Sequence, residues 1–146
     1  MDVFFSGSYE ETVRVGVRLG KSLEKGSVVA MRGGLGAGKT AFVTGLARGL
    51  GIDCAVTSPT FALVNEYHGS QNILYHFDMY RVETWEDLYS TGFYDYLNTS
   101  AVLAIEWSEN IDGALPENSY IVELTATGEQ SREIRIWKRN GETCVF

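Results

Sequence analysis

Apolar positions along the chain come in two kinds of run, one with helical spacing and one short and nearly unbroken. Their alternation predicts an α/β domain. Ser8 reads as a helix N-cap, with Glu10 and Glu11 in the first turn, where negative charge suits the helix dipole. The helix is predicted over residues 9–23, with Val13, Val17, Leu19 and Leu23 among its apolar positions and Gly26 as its stop. A buried-strand pattern over 27–32 follows, and a second helix is predicted over 41–50. Two strand-like runs, 62–67 and 73–80, flank His68-Gly69-Ser70-Gln71-Asn72, which is turn chemistry and predicts a β-hairpin. Thr84-Trp85-Glu86-Asp87 resembles a capping box opening a short helix that ends near Gly92. Ala101–Ile105 is a compact apolar strand running into Glu106-Trp107. The alternating segments 120–126 and 133–138 surround Thr127-Gly128-Glu129-Gln130 and predict a second hairpin. The sum is one domain over residues 1–146 with a central, partly parallel sheet, flanking helices and antiparallel additions.

The link between the first strand and the second helix carries the chemistry. Residues 33–40 read Gly-Gly-Leu-Gly-Ala-Gly-Lys-Thr, a complete G-x-x-x-x-G-K-[ST] phosphate loop of the P-loop NTPase-like class. Successive backbone N–H groups in such a turn point inward and wrap nucleotide phosphates. Glycine is required because the turn visits positive φ and lets phosphate oxygens approach where a Cβ would clash. The predicted nucleotide-contacting set is Gly33, Gly34, Leu35, Gly36, Ala37, Gly38, Lys39, Thr40 and Ala41. In it Lys39 reaches the β- and γ-phosphates and the Thr40 hydroxyl coordinates Mg2+.

Composition narrows the partners more than the fold. The 146 residues suffice for one substantial core, and 45% apolar with 21% charged residues is ordinary for a soluble domain. No apolar run is long enough to span a membrane, and Met1–Phe5 lacks the features of a signal peptide. Cys54 and Cys144 have no metal-ligand spacing and read as reduced thiols of a cytoplasmic protein. The net charge of −7 argues against strong direct binding of nucleic acid and suits a basic partner protein.

A phosphate-loop hydrolase also needs an acidic group near Mg2+ and a residue that positions the attacking water. Two apolar runs end in a carboxylate, Ile73–Asp78 and Ala101–Glu106. Glu106 has the cleaner strand and is the first choice for the metal shell; Asp78 would hold a metal-bound water or activate the nucleophile. Thr57-Ser58-Pro59-Thr60-Phe61 lies where nucleotide-sensing switches often follow the loop helix, and reads either as such a switch or as a capped turn. His76 reads more readily as a structural histidine than as a base. Arg81 fits a charge-stabilising role or a salt bridge, and Trp107 fits the core or an aromatic wall.

Together the motifs resemble one family. Gly-Leu-Gly-Ala-Gly-Lys-Thr (34–40), Ser-Pro-Thr-Phe (58–61), His-Phe-Asp-Met-Tyr-Arg (76–81) and Glu-Trp (106–107) stand in the order and spacing of the TsaE family, also called YjeE. Glu11-Thr12 and Leu115-Pro116 fit as well. The resemblance implies a small bacterial ATPase needed for N6-threonylcarbamoyladenosine at position 37 of tRNAs reading ANN codons. It implies action with the TsaB–TsaD pair, in which TsaD transfers the threonylcarbamoyl group and the ATPase supports turnover, so that tRNA is met through the complex. Carried over by position, ATP and Mg2+ are the ligands, Lys39 holds phosphates, and Thr40 and Glu106 surround the metal. Asp78 assists hydrolysis, Thr57, Ser58 and Thr60 form the switch, and Trp107 lies by the nucleotide. Ser8, Glu11, Thr12 and Arg132 would border the adenine.

Three other functions compete. A small-molecule kinase also uses a Gly-Lys-Thr loop, but the chain shows no Arg-rich lid, and the corresponding segment 78–95 is rich in Tyr and acids. A GTPase lacks support because no Asn-Lys-x-Asp segment occurs. A non-hydrolysing, nucleotide-dependent adaptor would have no need of Asp78 and Glu106. With no arginine clearly placed against a transferring phosphoryl group, hydrolysis by the chain alone is expected to be slow.

Overall fold

The computed structural model describes residues 1–59, 63–144 and 146. Its strands are β1 (Asp2–Ser6), β2 (Val28–Arg32), β3 (Val64–His68), β4 (Ile73–Asp78), β5 (Val102–Glu106), β6 (Tyr120–Ala126) and β7 (Arg132–Lys138). Its helices are α1 (Tyr9–Ser22), α2 (Lys39–Gly49), α3 (Trp85–Ser90) and α4 (Phe93–Leu97), with a 3-10 segment at Ser108–Ala114. The described strands form one mixed seven-stranded sheet in the order β1-β7-β6-β2-β5-β4-β3. Strand β2 runs parallel to both β5 and β6, and β4 runs parallel to β5. The outer pairs β3–β4, β6–β7 and β1–β7 are antiparallel. Both predicted hairpins are present, and the sheet is partly parallel as expected. The part of the first hairpin placed at residue 62 lies outside the described residues.

Strand alternation divides the interior into two cores. Val29, Met31, Leu74, Val102 and Ala104 pack with Leu19 of α1 and Phe42 and Leu46 of α2. Val28, Ala30, Phe77, Leu103 and Ile105 pack with Leu88 of α3, Phe93 of α4 and Ile111. Central parallel strands buried on both faces explain why β2 and β5 read as unbroken apolar runs.

Helix α1 is capped by Ser8, whose side chain accepts from the Glu11 N–H, as its sequence predicts. Its buried face combines two of the expected apolar positions, Val13 and Leu19, with small residues. Val17 and Leu23 are only partly buried, whereas Gly16 and Gly20 are buried. These glycines meet Gly45 and Gly49 of α2 at backbone contact: a Cβ on Gly20 would lie 2.6 Å from the Leu46 carbonyl oxygen, and one on Gly49 2.5 Å from that of Val17. The seam fixes α2, and with it the loop that α2 begins from. The capping box at Thr84 is formed through the Asp87 side chain, and the helix it opens ends before Gly92. Strand β1, helix α4 and the 3-10 segment have no counterpart in the sequence reading.

Candidate nucleotide site

Strand β2 delivers the chain into the glycine-rich loop, where Gly33 (φ 150°), Gly36 (φ 74°) and Gly38 (φ 99°) all take positive φ. A Cβ on Gly33 would stand 2.7 Å from the Leu124 carbonyl oxygen of neighbouring β6. Gly38 is the N-cap of α2 and supplies no capping side chain. The first N–H groups of α2 therefore have no side-chain cap there, and the dipole's positive end joins them, the arrangement that suits an anion.

Lys39 and Thr40 occupy the first turn of α2. The Lys39 ammonium donates to the Gly33 carbonyl oxygen at 2.6 Å and sits 4.2 Å from the centre of the Trp107 ring. Only 6% of Lys39 is exposed. Burial pushes its pKa below the usual lysine value, while the negative charges of Glu106, Glu109 and Asp78 push it back up.

The two strand-end carboxylates come together. Strand β5 lies directly beside β2, β4 lies beside β5, and Asp78 and Glu106 are register partners at the carboxyl ends of those parallel strands. Ligands of open α/β sheets bind at this end of the strands. Both acids are buried. Asp78 Oδ1 accepts the Tyr80 N–H at 2.9 Å. Glu106 Oε2 accepts from Nε2 of the fully buried His76 at 2.5 Å. His76 is thus a structural histidine, and the group it serves is a site carboxylate.

Trp107, directly after Glu106, takes left-handed backbone angles (φ 58°), an uncommon conformation for a bulky residue. The turn sets its indole beside Lys39, and Tyr80 packs on it with ring centres 4.9 Å apart. Trp107 is therefore a wall of the site.

A cleft of about 450 Å³ joins these groups. Leu35 to Ala41 line one side and Asp78, Glu106 and Trp107 the other, with Ser58, Tyr80 and Tyr9 also on the wall. Gly33 and Gly34 line an adjoining hollow with Trp107. Tyr9 and Tyr80 have no site role in the sequence reading, although Tyr80 lies within the 76–81 motif and Tyr9 follows the Ser8 cap; both are exposed aromatic side chains.

Other predicted residues lie close by in different settings. Glu11 accepts the Gly7 N–H at 2.6 Å, and the Thr12 and Ser6 hydroxyls are 2.7 Å apart. Ser8, Glu11 and Thr12 do not line the cleft. Arg132 holds the loop from β7, donating to the Gly36 carbonyl at 2.9 Å and the Ala37 carbonyl at 3.1 Å. Thr57 is bonded to Asn65 and Tyr67 of β3. Thr60 lies outside the described residues. Arg81 is exposed on the turn after β4. Cys54 is exposed and Cys144 half-buried, both free thiols.

The donor set fits Mg2+, a hard cation that takes oxygen ligands and commonly uses one or two carboxylates plus phosphate oxygens. Thr40 and Glu106, whose side chains carry such oxygens, both line the cleft. Among the described residues no cluster of three or more acids, histidines and cysteines could hold a metal without help, so phosphate and water would complete its shell.

A family model described as "Threonylcarbamoyl adenosine biosynthesis protein TsaE" matches residues 6–134. The chain belongs to the TsaE family. It is 44% identical over 131 residues to the tRNA threonylcarbamoyladenosine biosynthesis protein TsaE of Treponema pallidum, covering 90% of this chain and 96% of that one. It is 38% identical over 126 residues to the Bacillus subtilis protein of the same name, covering 86% and 78%. The crystal structure of Bacillus subtilis YdiB superposes with a TM-score of 0.76 at 31% identity, covering 91% of this chain and 82% of that one. TsaE membership places the chain in tRNA threonylcarbamoyladenosine biosynthesis, on a P-loop fold. Among the described residues no helix is long and apolar enough to cross a membrane.

Proposed function

We propose that the chain binds ATP with Mg2+ in the cleft between the glycine-rich loop and the two strand-end acids, and hydrolyses it in support of threonylcarbamoyladenosine formation at position 37 of tRNAs reading ANN codons. Its partner in this reading is the TsaB–TsaD pair, which holds the tRNA, and its compartment is the cytoplasm. The observation that carries the proposal is the placement of Asp78 and Glu106, side by side on adjacent parallel strands, across one cleft from Lys39 and Thr40.

Each residue has a task in this reading. The uncapped start of α2 and the loop amides hold the phosphates, and Lys39 exchanges its bond to the Gly33 carbonyl for phosphate oxygens. Thr40 and Glu106 hold the cation, which supplies charge neutralisation at the phosphates. Asp78, anchored by the Tyr80 N–H, orients a water and takes its proton. Trp107 and Tyr80 shield the phosphate end from solvent, which strengthens the electrostatics inside. Ser58, with Thr57 and Thr60, senses the bound state.

ATP hydrolysis by the pure chain, with and without the TsaB–TsaD pair, tests this. Stimulation by the pair, lost in Lys39→Ala and Glu106→Ala, is the expected result. Turnover that ignores both the pair and the two substitutions overturns it.

A further inference from the structure

Inside the sheet, behind the cleft, a chain of polar side chains runs from Glu106 to the segment that precedes β3. His76 Nε2 donates to Glu106 Oε2 at 2.5 Å. On the other edge of the same ring, Nδ1 lies 3.5 Å from the Tyr67 hydroxyl. That hydroxyl gives its one proton to Nδ1, accepts the Thr57 N–H at 3.2 Å and lies 3.1 Å from the Thr57 carbonyl oxygen. The Asn65 amide adds donations to the Thr57 carbonyl at 3.2 Å and to the Tyr67 hydroxyl at 3.3 Å. Sheet register brings the group together: Asn65 opposes His76 across β3–β4, and His76 opposes Ala104, two residues before Glu106.

The cost of this arrangement points to a use. His76 is fully buried and Tyr67 nearly so, although both polar ends must be satisfied in a core where an apolar pair would pack without that demand. Every bond in the chain leads from the strand-end acid to the backbone of one residue, Thr57. The next residue, Ser58, lines the cleft.

We propose that His76 is a positioning residue that fixes the Glu106 carboxylate, and that through Tyr67 it ties that carboxylate to the Thr57–Pro59 segment, so that the two respond together to Mg2+-nucleotide. This rests on the nucleotide reading above and adds to it the route by which the acid and the segment are coupled. A carboxylate drawn toward a cation pulls on Nε2 of His76, and the ring transmits the shift to the Tyr67 hydroxyl and so to both main-chain groups of Thr57.

Tyr67→Phe tests the link, because it removes one hydroxyl and keeps the ring. The full chain is compared with the variant by binding of a non-hydrolysable ATP analogue in Mg2+ and in EDTA, and by amide hydrogen exchange. Wild type is expected to bind more tightly with Mg2+ and to gain exchange protection at the Thr57 and Ser58 amides as well as over the glycine-rich loop. Tyr67→Phe is expected to bind equally in EDTA and to lose about five- to tenfold of the Mg2+-dependent gain, the effect of one hydrogen bond. It should keep ligand-induced protection of the loop and lose that of Thr57 and Ser58. His76→Gln, whose amide can still donate to Glu106, should match Tyr67→Phe, and the double variant should be no worse than either alone. If Tyr67→Phe responds to Mg2+-nucleotide as wild type does at Thr57 and Ser58, the coupling is wrong and the nucleotide reading stands. If wild type binds no nucleotide, both fall.

Discussion

Gly45→Ala should destabilise the protein although alanine is the better helix former. A Cβ at Gly45 would collide with the Val13 carbonyl oxygen and stand 2.8 Å from the Gly16 Cα and 2.9 Å from the Val17 amide nitrogen. All three obstacles are main chain of α1, so no side-chain rotation makes room; the helices must separate. Overpacking of a tight site costs about 1–3 kcal/mol, and the rigid obstacles here place Gly45→Ala at the upper end, about 3 kcal/mol. Helix propensity returns about 1 kcal/mol of that. A net loss of about 2 kcal/mol lowers the melting temperature of a chain this size by roughly 4–8 °C. Parting the helices also loosens α2 behind the glycine-rich loop, so affinity for an ATP analogue should fall with stability. Chemical unfolding, which separates a midpoint change from a slope change, is the assay. A variant as stable as wild type, or more stable by the propensity difference alone, would refute the argument that backbone contact along the glycine seam sets the position of α2.

Two further substitutions test the site. Asp78→Asn keeps an oxygen for the Tyr80 N–H and removes the negative charge, so it should leave nucleotide affinity within about threefold while lowering the hydrolysis rate by about 10²-fold or more, the scale of general-base catalysis; equal turnover, read in the presence of the TsaB–TsaD pair, would return the chain to the adaptor class. Arg132→Ala should weaken nucleotide binding because the guanidinium holds the Gly36 and Ala37 carbonyls, and Arg132→Lys should not restore it, since one ammonium cannot reproduce the two-pronged grip; unchanged affinity in titration calorimetry would show that the loop keeps its shape unaided.

What could be read from the sequence followed from how local each signal is. The glycine-rich loop, its strand and its helix are specified within residues 28–49, and their positive-φ glycines are a requirement of the turn itself. Ser8 and Thr84 cap helices through residues three positions on, so their signals are equally short-range. Strand β1 has no local signal because, among the described residues, it pairs only with β7 and it carries apolar side chains on both faces: Val3 and Phe5 are exposed while Phe4 packs toward the core. The seam lacks one because a buried glycine looks like a weak helix position until the partner helix is known. Asp78 and Glu106 are legible as strand ends, and β5 lies directly beside the loop strand. Their adjacency to one another, and the histidine behind Glu106, depend on strand order, which no local pattern encodes. The same applies to Arg132, whose approach to the loop requires β7 to return beside β6.

The charge balance of the cleft bears on how its chemistry is controlled. Among the described residues that line it, Lys39 is the one cation, set against Asp78 and Glu106. Arg132 is near the loop, yet its donors are directed to carbonyl oxygens of the loop and of residues 128–131. Phosphoryl transfer is accelerated chiefly by positive charge fixed around the transferring group, and an arginine supplied in trans is worth roughly 10³–10⁵ in rate. A site holding one lysine and a cation binds nucleotide well and turns it over poorly. On the proposed reading, slow hydrolysis by the lone chain and stimulation by a partner are therefore two consequences of one deficit. The chain's net charge of −7 favours a partner that presents basic residues at the contact. Steering of that kind weakens with salt, whereas nucleotide affinity from a preformed loop changes little. Partner-stimulated turnover should then fall with ionic strength much more steeply than binding of the ATP analogue does; parallel salt curves would locate the missing charge within the chain itself.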